Sequence, residues 1–479
     1  MRPAVLHRCS LATLAAAASA ALALCCAAPA SADEPSAPAA RRRSLSECVN
    51  VALQGSGQVQ EAEGKVAEWR GRLDEVKAIF YPKITAIAFA APIFGIKGLV
   101  TDTDVQRQYD RWGPYLKFDG LLMQPVYTFG QQSAGENAAR ERMLVEEARL
   151  QATRNAVALE VARYYYLHLY VASIRPSLES TRKILDDAMT SAQEMYDEAQ
   201  GKVTMADLQK LKYVSTELDK YRVQADIGAG LSMAALKHTM GRPEAEPLEL
   251  ADAVLPPAPK EELLPLSVLV QKAWDRRPEA AQIKHGRAAA LSLEEAERLA
   301  NYPIVAVVGQ LSASWTAVRT DQNNTFAYDP YNDLTGGVAL AFKWDLDPMK
   351  ASARGDTARA LVEQIDGLAK FAQTGIPTDV RRCRDDYDQA RRMLAISETG
   401  STAARKWMLF SAAAYASGTG ETKDVLEGLG AFVQAKKSFY DALLSVHMSR
   451  ATLAVATGEV VDVLGGPVAA RPVSAEKAR

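Results

Sequence analysis

The side chains that could carry out catalysis or bind a metal ion are few in this chain of 479 residues, and they are scattered. The sequence has no nucleophile elbow, phosphate-binding loop or paired-histidine zinc motif. Acidic pairs such as Asp385-Asp386 lie in a charged helical run, which is typical of a solvated surface. The histidines, which show no metal-ligand spacing, are His7, His168, His238, His285 and His447. We therefore predict that the protein is not an enzyme and has no cofactor and no metal site.

The chain instead carries an internal repeat. One set of residues recurs after 221 positions and a later set after 217, which indicates a duplication. The first set is Leu45, Ala52, Tyr81 and Pro82, matched by Leu266, Ala273, Tyr302 and Pro303. The second set is Gly201, Asp207, Leu236 and Gly241, matched by Gly418, Asp424, Leu453 and Gly458. The difference of four residues therefore arises between Pro82 and Gly201.

The first 32 residues predict a secretory signal peptide. Two arginines precede an Ala/Leu-rich core over 11–28, and residues 30–32 form an Ala-x-Ala cleavage site. A lipid anchor on Cys25 or Cys26 is the alternative, although the residue before Cys25 is bulky where that processing needs a small one. The segment holds two of the 56 basic residues and none of the 58 acidic ones, which leaves a net charge of −4. No nucleic-acid partner is expected from this balance.

Each half of the remaining chain predicts the same order of elements. The first repeat covers 45–241 and the second 266–458, with a Pro- and acid-rich linker over 242–265. Residues 33–44 form an N-terminal arm, and 459–479 form a C-terminal tail. In the first repeat we predict a helix that ends before Tyr81-Pro82, a β-hairpin over 83–125, a long helix over 132–200 and a return helix over 203–241. In the second repeat a helix is followed by a hairpin over 303–346 and by helices over 350–417 and 421–457.

Both hairpins show strand periodicity with one apolar face. Leu116, Phe118, Gly120 and Leu122 alternate with a mixed set, as do Val338, Leu340 and Phe342. Strands of about ten residues can cross a bilayer when tilted, whereas the alternative, a soluble sheet, more often has strands of five or six. The aromatic residues at the strand ends suit a membrane-interface girdle and are Tyr81, Trp112, Phe129, Tyr302, Trp315 and Trp344. A membrane-spanning sheet is the favoured interpretation.

The segments over about 132–199 and 350–415 are rich in Ala, Glu, Arg, Leu and Gln, so each predicts a helical rod of about 100 Å. Pro176 and Pro377 lie inside these rods and are expected to kink or divide them. Cys48 and Cys383 are the cysteines outside the signal segment. They could form a disulfide if both helices leave the same end of the sheet, and two separate buried thiols are the alternative.

Four strands in one chain leave two bare edges, which cannot face lipid. Two copies would close a barrel of eight strands filled by side chains, while three copies would close a barrel of twelve with a lumen. The architecture therefore predicts a homotrimer in contact with outer-membrane lipid. Its fold class is an α+β membrane protein with two repeats per chain. The hairpins form a 12-stranded barrel, and the helical hairpins continue it as an α-helical barrel.

In its order of motifs the chain resembles the TolC family of outer-membrane efflux proteins. The resemblance runs from Leu45 to Gly458 and rests on the Tyr-Pro before each first strand, on residues 124–130 (QPVYTFG) and on the glycine-led tips at 201–207 and 415–419. It implies a homotrimeric channel in the outer membrane with a long periplasmic portion. Such a channel works with a periplasmic adaptor and an inner-membrane pump as a passive exit duct for small toxic compounds.

The resemblance also assigns roles to the helical tips. Adaptor contact falls on Gly201, Thr204, Gly418 and Thr419, and the periplasmic gate falls on Asp207, Tyr415, Asp424 and Glu427. Two of these acids also fit a purely structural role, since Asp207 follows Thr204 at capping-box spacing and Glu427 is a solvated charge by default.

The chain departs from the family at two places. Gly420 stands where the family's drug channel has an arginine that links neighbouring hairpins, and the exit of the fourth strand lacks the Phe129-Gly130 pair of the first repeat. Two further functions are compatible with the sequence. The same fold could serve type I protein secretion, or the chain could be a soluble periplasmic coiled-coil scaffold.

Overall fold

The computed structural model describes residues 42–99, 101, 103–198, 203–322, 326, 328–417 and 419–465. The predicted signal peptide, Gly201 and Gly418 lie outside the described residues. The chain divides into two units, and the described part of the first comprises Arg42 and residues 247–249. Within it, Arg42 Nε lies 3.4 Å from Glu249 Oε2. The second unit, over 43–246 and 250–465, contains all the described helices and the main sheet.

The elements follow one another in the same order in both repeats. The helices are α1 (Leu45–Gly55), α2 (Gly57–Ala78), α3 (Gln131–Asp197), α4 (Met205–Thr239), α5 (Leu266–Arg276), α6 (Pro278–Leu299), α7 (Pro348–Ala416), α8 (Thr422–Thr457) and α9 (Val460–Leu464). The strands are β1 (Arg42–Arg43), β2 (Lys83–Lys97), β3 (Gln106–Tyr127), β4 (Glu249–Leu250), β5 (Ile304–Thr316) and β6 (Asp333–Lys343).

The two repeat offsets separate at the hairpins. Strand β5 begins 221 residues after β2, while helix α7 begins 217 residues after α3. The change of length therefore lies between the start of the first strand and the start of the long helix, and the helices keep their spacing. The long helices have 67 and 69 residues, which corresponds to about 100 Å each.

The single helix predicted before each hairpin is wrong, because the structure breaks it in two. Ser56 and Arg277 adopt extended backbone angles at the breaks. Each break receives the end of a return helix. Gly241 (φ +65°) lies against Gly55, and Gly458 (φ +75°) lies against Arg276, so closely that a Cβ atom would come within 3 Å of the neighbouring backbone. Glycine is therefore required at both positions.

The sheet has the order β2-β3-β5-β6 and is antiparallel throughout. Its central contact, between β3 and β5, joins the first repeat to the second. Strands β2 and β6 form the edges. Strands β2, β3, β5 and β6 have 15, 22, 13 and 11 residues. Both strands of the first hairpin are therefore longer than the predicted length of about ten residues.

The long helices form the spine of the helical wall. Helix α3 packs on α2 and α4 of its own repeat and on α6 and α8 of the second repeat, and α7 packs on α6 and α8. Neither Pro176 nor Pro377 divides its helix, which corrects the prediction of division. A proline removes one backbone donor, and packing on both sides of the long helices outweighs that loss. No helix within the described ranges combines the length and hydropathy of a membrane span.

The linker between the repeats is packed rather than loose. The Tyr165 hydroxyl donates to Asp252 (2.7 Å), and the Leu255 amide donates to Ser173 Oγ (2.8 Å), which ties the linker to α3. Further on, His447 Nε2 donates to the Pro256 carbonyl (2.9 Å). The linker thereby crosses from Ser173 of α3 to His447 of α8.

Both described cysteines are free and buried, so the disulfide is not formed and two separate thiols are present. Cys383 packs with Leu269 and Ala273 of α5, while Cys48 lies in the short helix α1. Burial raises the pKa of the Cys48 thiol to about 11 and also raises that of Cys383. Both thiols stay protonated near neutral pH and are poor nucleophiles.

Candidate functional site

The strand register assigns the sheet two faces of different chemistry. On the first, Leu311 stands between Gly120 and Gly336 and Trp315 stands opposite Leu116. We call this the apolar face; it comprises Ile84, Ala86, Ala88, Leu116, Phe118, Leu122, Val305, Val307, Leu311, Trp315, Leu334, Val338, Leu340 and Phe342. None of these residues is charged. Val338 is 79% and Phe342 69% exposed in the single chain.

The opposite face carries the polar side chains of the strands. Asp119 stands opposite Ser312, which stands opposite Thr335. One row further, Lys117 stands opposite Ser314, which stands opposite Asp333. We call this the polar face; it also includes Tyr115, Leu121, Gln310 and Phe89. Alternation along each strand and pairing across strands therefore agree on which side carries the polar side chains.

The six predicted interface aromatics are all exposed in the single chain, between 37% for Phe129 and 71% for Tyr81. Tyr81, Phe129, Tyr302 and Trp344 lie where the helices meet the sheet, and Trp112 and Trp315 lie towards the other end of the strands. The Trp344 indole donates to the Asn301 carbonyl (3.0 Å), and the rings of Phe129 and Tyr302 stack at 5.6 Å.

The two strand exits differ, as the missing Phe-Gly pair suggested. Phe129 and Gly130 both have positive φ (51° and 89°) before α3, which turns the chain sharply out of β3. At the equivalent place in the second repeat, the Asp347 side chain accepts a hydrogen bond from the Lys350 amide (3.1 Å) and Pro348 occupies the first turn of α7. The equivalent helices α3 and α7 therefore begin differently: α3 follows a turn with positive φ angles, and α7 follows a side-chain cap and a proline.

A feature that the sequence did not reveal lies at the outer end of the sheet. The chain after β5 turns back over the polar face, where the Val318 side chain lies on Gly113 so closely that a Cβ there would come within 2.2 Å. The Ile96 amide donates to the Val318 carbonyl (3.2 Å), and the Thr320 amide donates to the Ile96 carbonyl (3.1 Å). The Arg319 guanidinium lies 3.6 Å from the centre of the Tyr331 ring. Residues 318–320 therefore cover part of the polar face at this end of the sheet.

The tip of the first helical hairpin is closed by a capping box. The Thr204 amide donates to the Asp207 carboxylate (3.1 Å), and so does the Thr204 hydroxyl (2.6 Å). The Asp207 amide donates back to Thr204 Oγ1 (3.3 Å), and Lys210 Nζ lies 3.4 Å from the carboxylate. The structure therefore gives Asp207 the structural role that its spacing from Thr204 indicated.

Replacing Asp207 by Ala should weaken the start of α4 by about 1 kcal/mol. The Thr204 hydrogen bonds hold the pKa of Asp207 below its ordinary value. A carboxylate with a lowered folded pKa contributes stability above its unfolded pKa, and loses it as the pH falls through the folded pKa. The protection factors of the amides of residues 205–211, which correct for the intrinsic exchange rate at each pH, should therefore fall in the parent below about pH 4, and in the variant should be lower already at pH 7. Lys210→Gln, which keeps the box, is the control and should behave as the parent; equal protection in Asp207→Ala and the parent would contradict the assignment.

The tip of the second hairpin turns without a side-chain cap on α8. The Ala414 carbonyl accepts from the Thr419 and Gly420 amides (3.0 and 2.9 Å) and from the Ser417 and Thr419 hydroxyls (2.9 and 3.1 Å). A Cβ on Gly420 would lie 2.9 Å from the Tyr415 nitrogen and 3.0 Å from the Ala414 carbonyl carbon. A side chain at position 420 would therefore require a shift of the backbone at this turn.

Tyr415 is buried, with 4% of its surface exposed, and its hydroxyl has no hydrogen-bond partner within the described residues. It belongs to an apolar cluster that joins both hairpins of the chain. We call this the tip cluster; its buried members are Leu185, Ala188, Ala192, Val203, Leu211, Met408, Tyr415, Val425, Leu429 and Phe432. The structure thus brings the two tips of one chain together, which the sequence signals only as apolar positions on separate helices.

Asp424 and Glu427 both lie exposed in the first turns of α8. Glu427 lies 3.8 Å from Lys423, at exposed ends of both side chains. Asp424 has no ion pair within the described part of the chain, so its charge is uncompensated. Of the predicted gate residues, Asp424 presents an unpaired carboxylate and Glu427 an exposed one paired with Lys423, while Asp207 is engaged in a cap and Tyr415 is packed inside. No three His, Cys, Asp or Glu side chains in the described ranges come together as a metal site would require.

No protein-family model and no curated protein sequence matches the chain. Solved structures do match it. The outer-membrane channel OprN superposes with a TM-score of 0.68 at 16% identity, covering 87% of this chain and 90% of that one. The outer membrane protein VceC of Vibrio cholerae gives 0.68 at 15%, covering 86% and 96%. The open state of the Neisseria gonorrhoeae MtrE outer membrane channel gives 0.66 at 15%, covering 87% and 89%. The chain therefore has the fold of the outer-membrane channels, the fold that its resemblance to the TolC family predicted.

Proposed function

We propose that this protein is the outer-membrane channel-tunnel of a tripartite efflux system and acts as a passive exit duct for small toxic compounds. The observation that carries the proposal is a four-stranded sheet with one continuous apolar face, joined directly to helices of about 100 Å. The sheet would lie in the outer membrane and the helices would extend into the periplasm. A soluble scaffold would have no reason to expose Val338 and Phe342 to water.

The repeat supports closure by further copies of the chain. Strand β3 of the first repeat pairs with β5 of the second, so the equivalent strand β6 should pair with β2 of the next copy. Helix α3 packs on α6 and α8, so the equivalent helix α7 should pack on α2 and α4 of the next copy. No comparable packing joins α7 to α2 or α4 within the described part of one chain.

The helices at the two ends of the wall carry apolar side chains that such closure would cover. On α7 the exposed ones include Leu361, Leu368, Phe371, Met393, Ile396 and Phe410, and on α4 they include Tyr213, Tyr221, Val223, Ile227 and Leu231. Three copies give twelve strands and a lumen, which two copies would not. The homotrimer is therefore the assembly that makes a duct.

The gate lies at the helical tips. Three copies of Asp424 and Glu427 would bring acidic side chains towards the axis, where they would repel one another and attract divalent cations. An adaptor that docks on the exposed turns, through Thr204 and Thr419 beside Gly201 and Gly418, would move the tips outward and separate the acids. Because no energy-coupling site is present in the described residues, an inner-membrane pump would drive transport.

Removing the acids tests both the duct and its gate. Asp424→Ala combined with Glu427→Ala should raise single-channel conductance in planar bilayers and weaken block by divalent cations, because the repulsive ring is lost. Asp74→Ala combined with Glu75→Ala removes the same charge at the sheet end of the wall and is the matched control.

Unchanged conductance and block in the tip variant would overturn the gate assignment. The wider proposal would fail if the parent were released with soluble periplasmic proteins instead of migrating as a heat-modifiable trimer from outer membranes.

A further inference from the structure

One ion pair lies in the middle of the polar face. Over 84–96, 112–126, 305–315 and 334–342, the stretches of strand between the ends of the sheet, the charged residues are Lys117 and Asp119 alone. Lys117 Nζ lies 3.1 Å from Asp119 Oδ2, and the Ser312 hydroxyl donates to Asp119 Oδ1 (2.7 Å). The pair is anchored from two strands that belong to different repeats.

The position of this pair in the sheet argues for a role beyond packing. A charge on the lipid side of a barrel strand costs about 2–4 kcal/mol at the bilayer midplane, so charges in mid-strand belong on the lumenal side. The side chains of Lys117 and Asp119 remain 32% and 37% exposed, so water and passing ions can reach them. Since ions are sorted by rings of charged side chains, a pair repeated by symmetry would act on every ion that passes.

We propose that Lys117 and Asp119 set the charge selectivity of the duct in its membrane-spanning part. The proposal rests on the trimeric channel proposed above, in which three copies form one ring of alternating charge. Because the two charges of each pair cancel, the ring admits solutes of either sign.

Reversal potentials in planar bilayers under a KCl gradient test the ring. Lys117→Met leaves the acids unopposed and should raise the K⁺/Cl⁻ permeability ratio about threefold, and Asp119→Asn should lower it about threefold. The double variant removes the pair and should return the ratio to that of the parent. Lys117→Arg and Asp119→Glu keep the charges and serve as matched controls.

A second measurement changes the charge only after the trimer has assembled. The described cysteines are buried, so Ser312→Cys would add an accessible thiol beside the pair. After the trimer is inserted in the bilayer, a cationic methanethiosulfonate reagent should lower the permeability ratio and an anionic one should raise it. The parent protein treated with the same reagents is the control.

The outcomes distinguish this proposal from the one on which it rests. A parent trimer that does not conduct overturns both the duct and the ring. A conducting parent whose ratio is unmoved by either single variant and by both reagents overturns the ring alone. Opposite shifts from the two variants and from the two reagents support it.

Discussion

Leu311→Arg should abolish assembly of the protein in outer membranes, while Gln310→Arg, one residue away, should leave assembly intact. Leu311 lies on the apolar face between Gly120 and Gly336, and Gln310 lies on the polar face opposite Leu121 and Gly337. An arginine facing lipid near the bilayer midplane costs about 2–4 kcal/mol per chain, and three copies in a trimer multiply that cost. On the polar face the same side chain stays in water.

The measurement is the yield of heat-modifiable trimer from outer-membrane fractions, with an antibody to the chain reporting total protein. The paired design removes the effect of arginine on synthesis and export, because both variants carry it at neighbouring positions of β5. Parental yields from both variants would show that the apolar face does not contact lipid. Loss of both would point to strand packing instead of lipid exposure.

Tyr415→Ala should open the tip of the second hairpin, and Tyr415→Phe should not. The side chain is buried in the tip cluster against residues of both hairpins, so truncating it leaves a cavity that costs about 3–5 kcal/mol. Its hydroxyl has no partner within the described residues, so removing that one oxygen is expected to be neutral or stabilising by about 1 kcal/mol. Packing, rather than a hydrogen bond, is the contribution of Tyr415 within one chain.

Hydrogen exchange of residues 408–417 and 422–432 measures the effect directly, because local opening sets the exchange rate in such a segment. Single-channel conductance of the same variants reports whether the tips remain closed. If Tyr415→Phe alone raises conductance while tip protection is kept, the hydroxyl makes a bond to a neighbouring copy and helps to hold the tips closed. Parental protection in Tyr415→Ala would contradict the packing role.

The parts of the fold that follow from periodicity were predictable. The alternation of Leu116, Phe118 and Leu122 predicted which side of β3 is apolar, and the register of the sheet confirms that Leu311 and Val338 share this side. The repeat offset predicted helices of constant spacing, since residues 221 or 217 apart begin equivalent elements. These signals are local, or repeat along the chain, so one sequence contains them.

The parts of the fold that depend on tertiary contacts could not be predicted from the sequence. Nothing next to Tyr415 in sequence indicates that it packs against Val203 and Leu211 of another hairpin. From the sequence, Gly420 appeared to mark only a missing latch. In the structure, a Cβ atom at this position would lie 3.0 Å from the carbonyl carbon of Ala414. Pro176 was expected to kink or divide its helix, and the helix is continuous through this position, where other helices pack against it. In each case the deciding partner is far away in the chain.

The two helix starts at the tips differ in a way that bears on the order of events during opening. Thr204 caps α4 through its side chain, whereas Glu421 at the same place before α8 makes no such bond. A side-chain cap is worth about 1 kcal/mol, so the first turn of α8 should fray more readily than that of α4. Around a trimer, stiff and soft tips would then alternate, and opening would begin at three soft tips. The channel would dilate from sixfold-like to threefold shape before it widens fully.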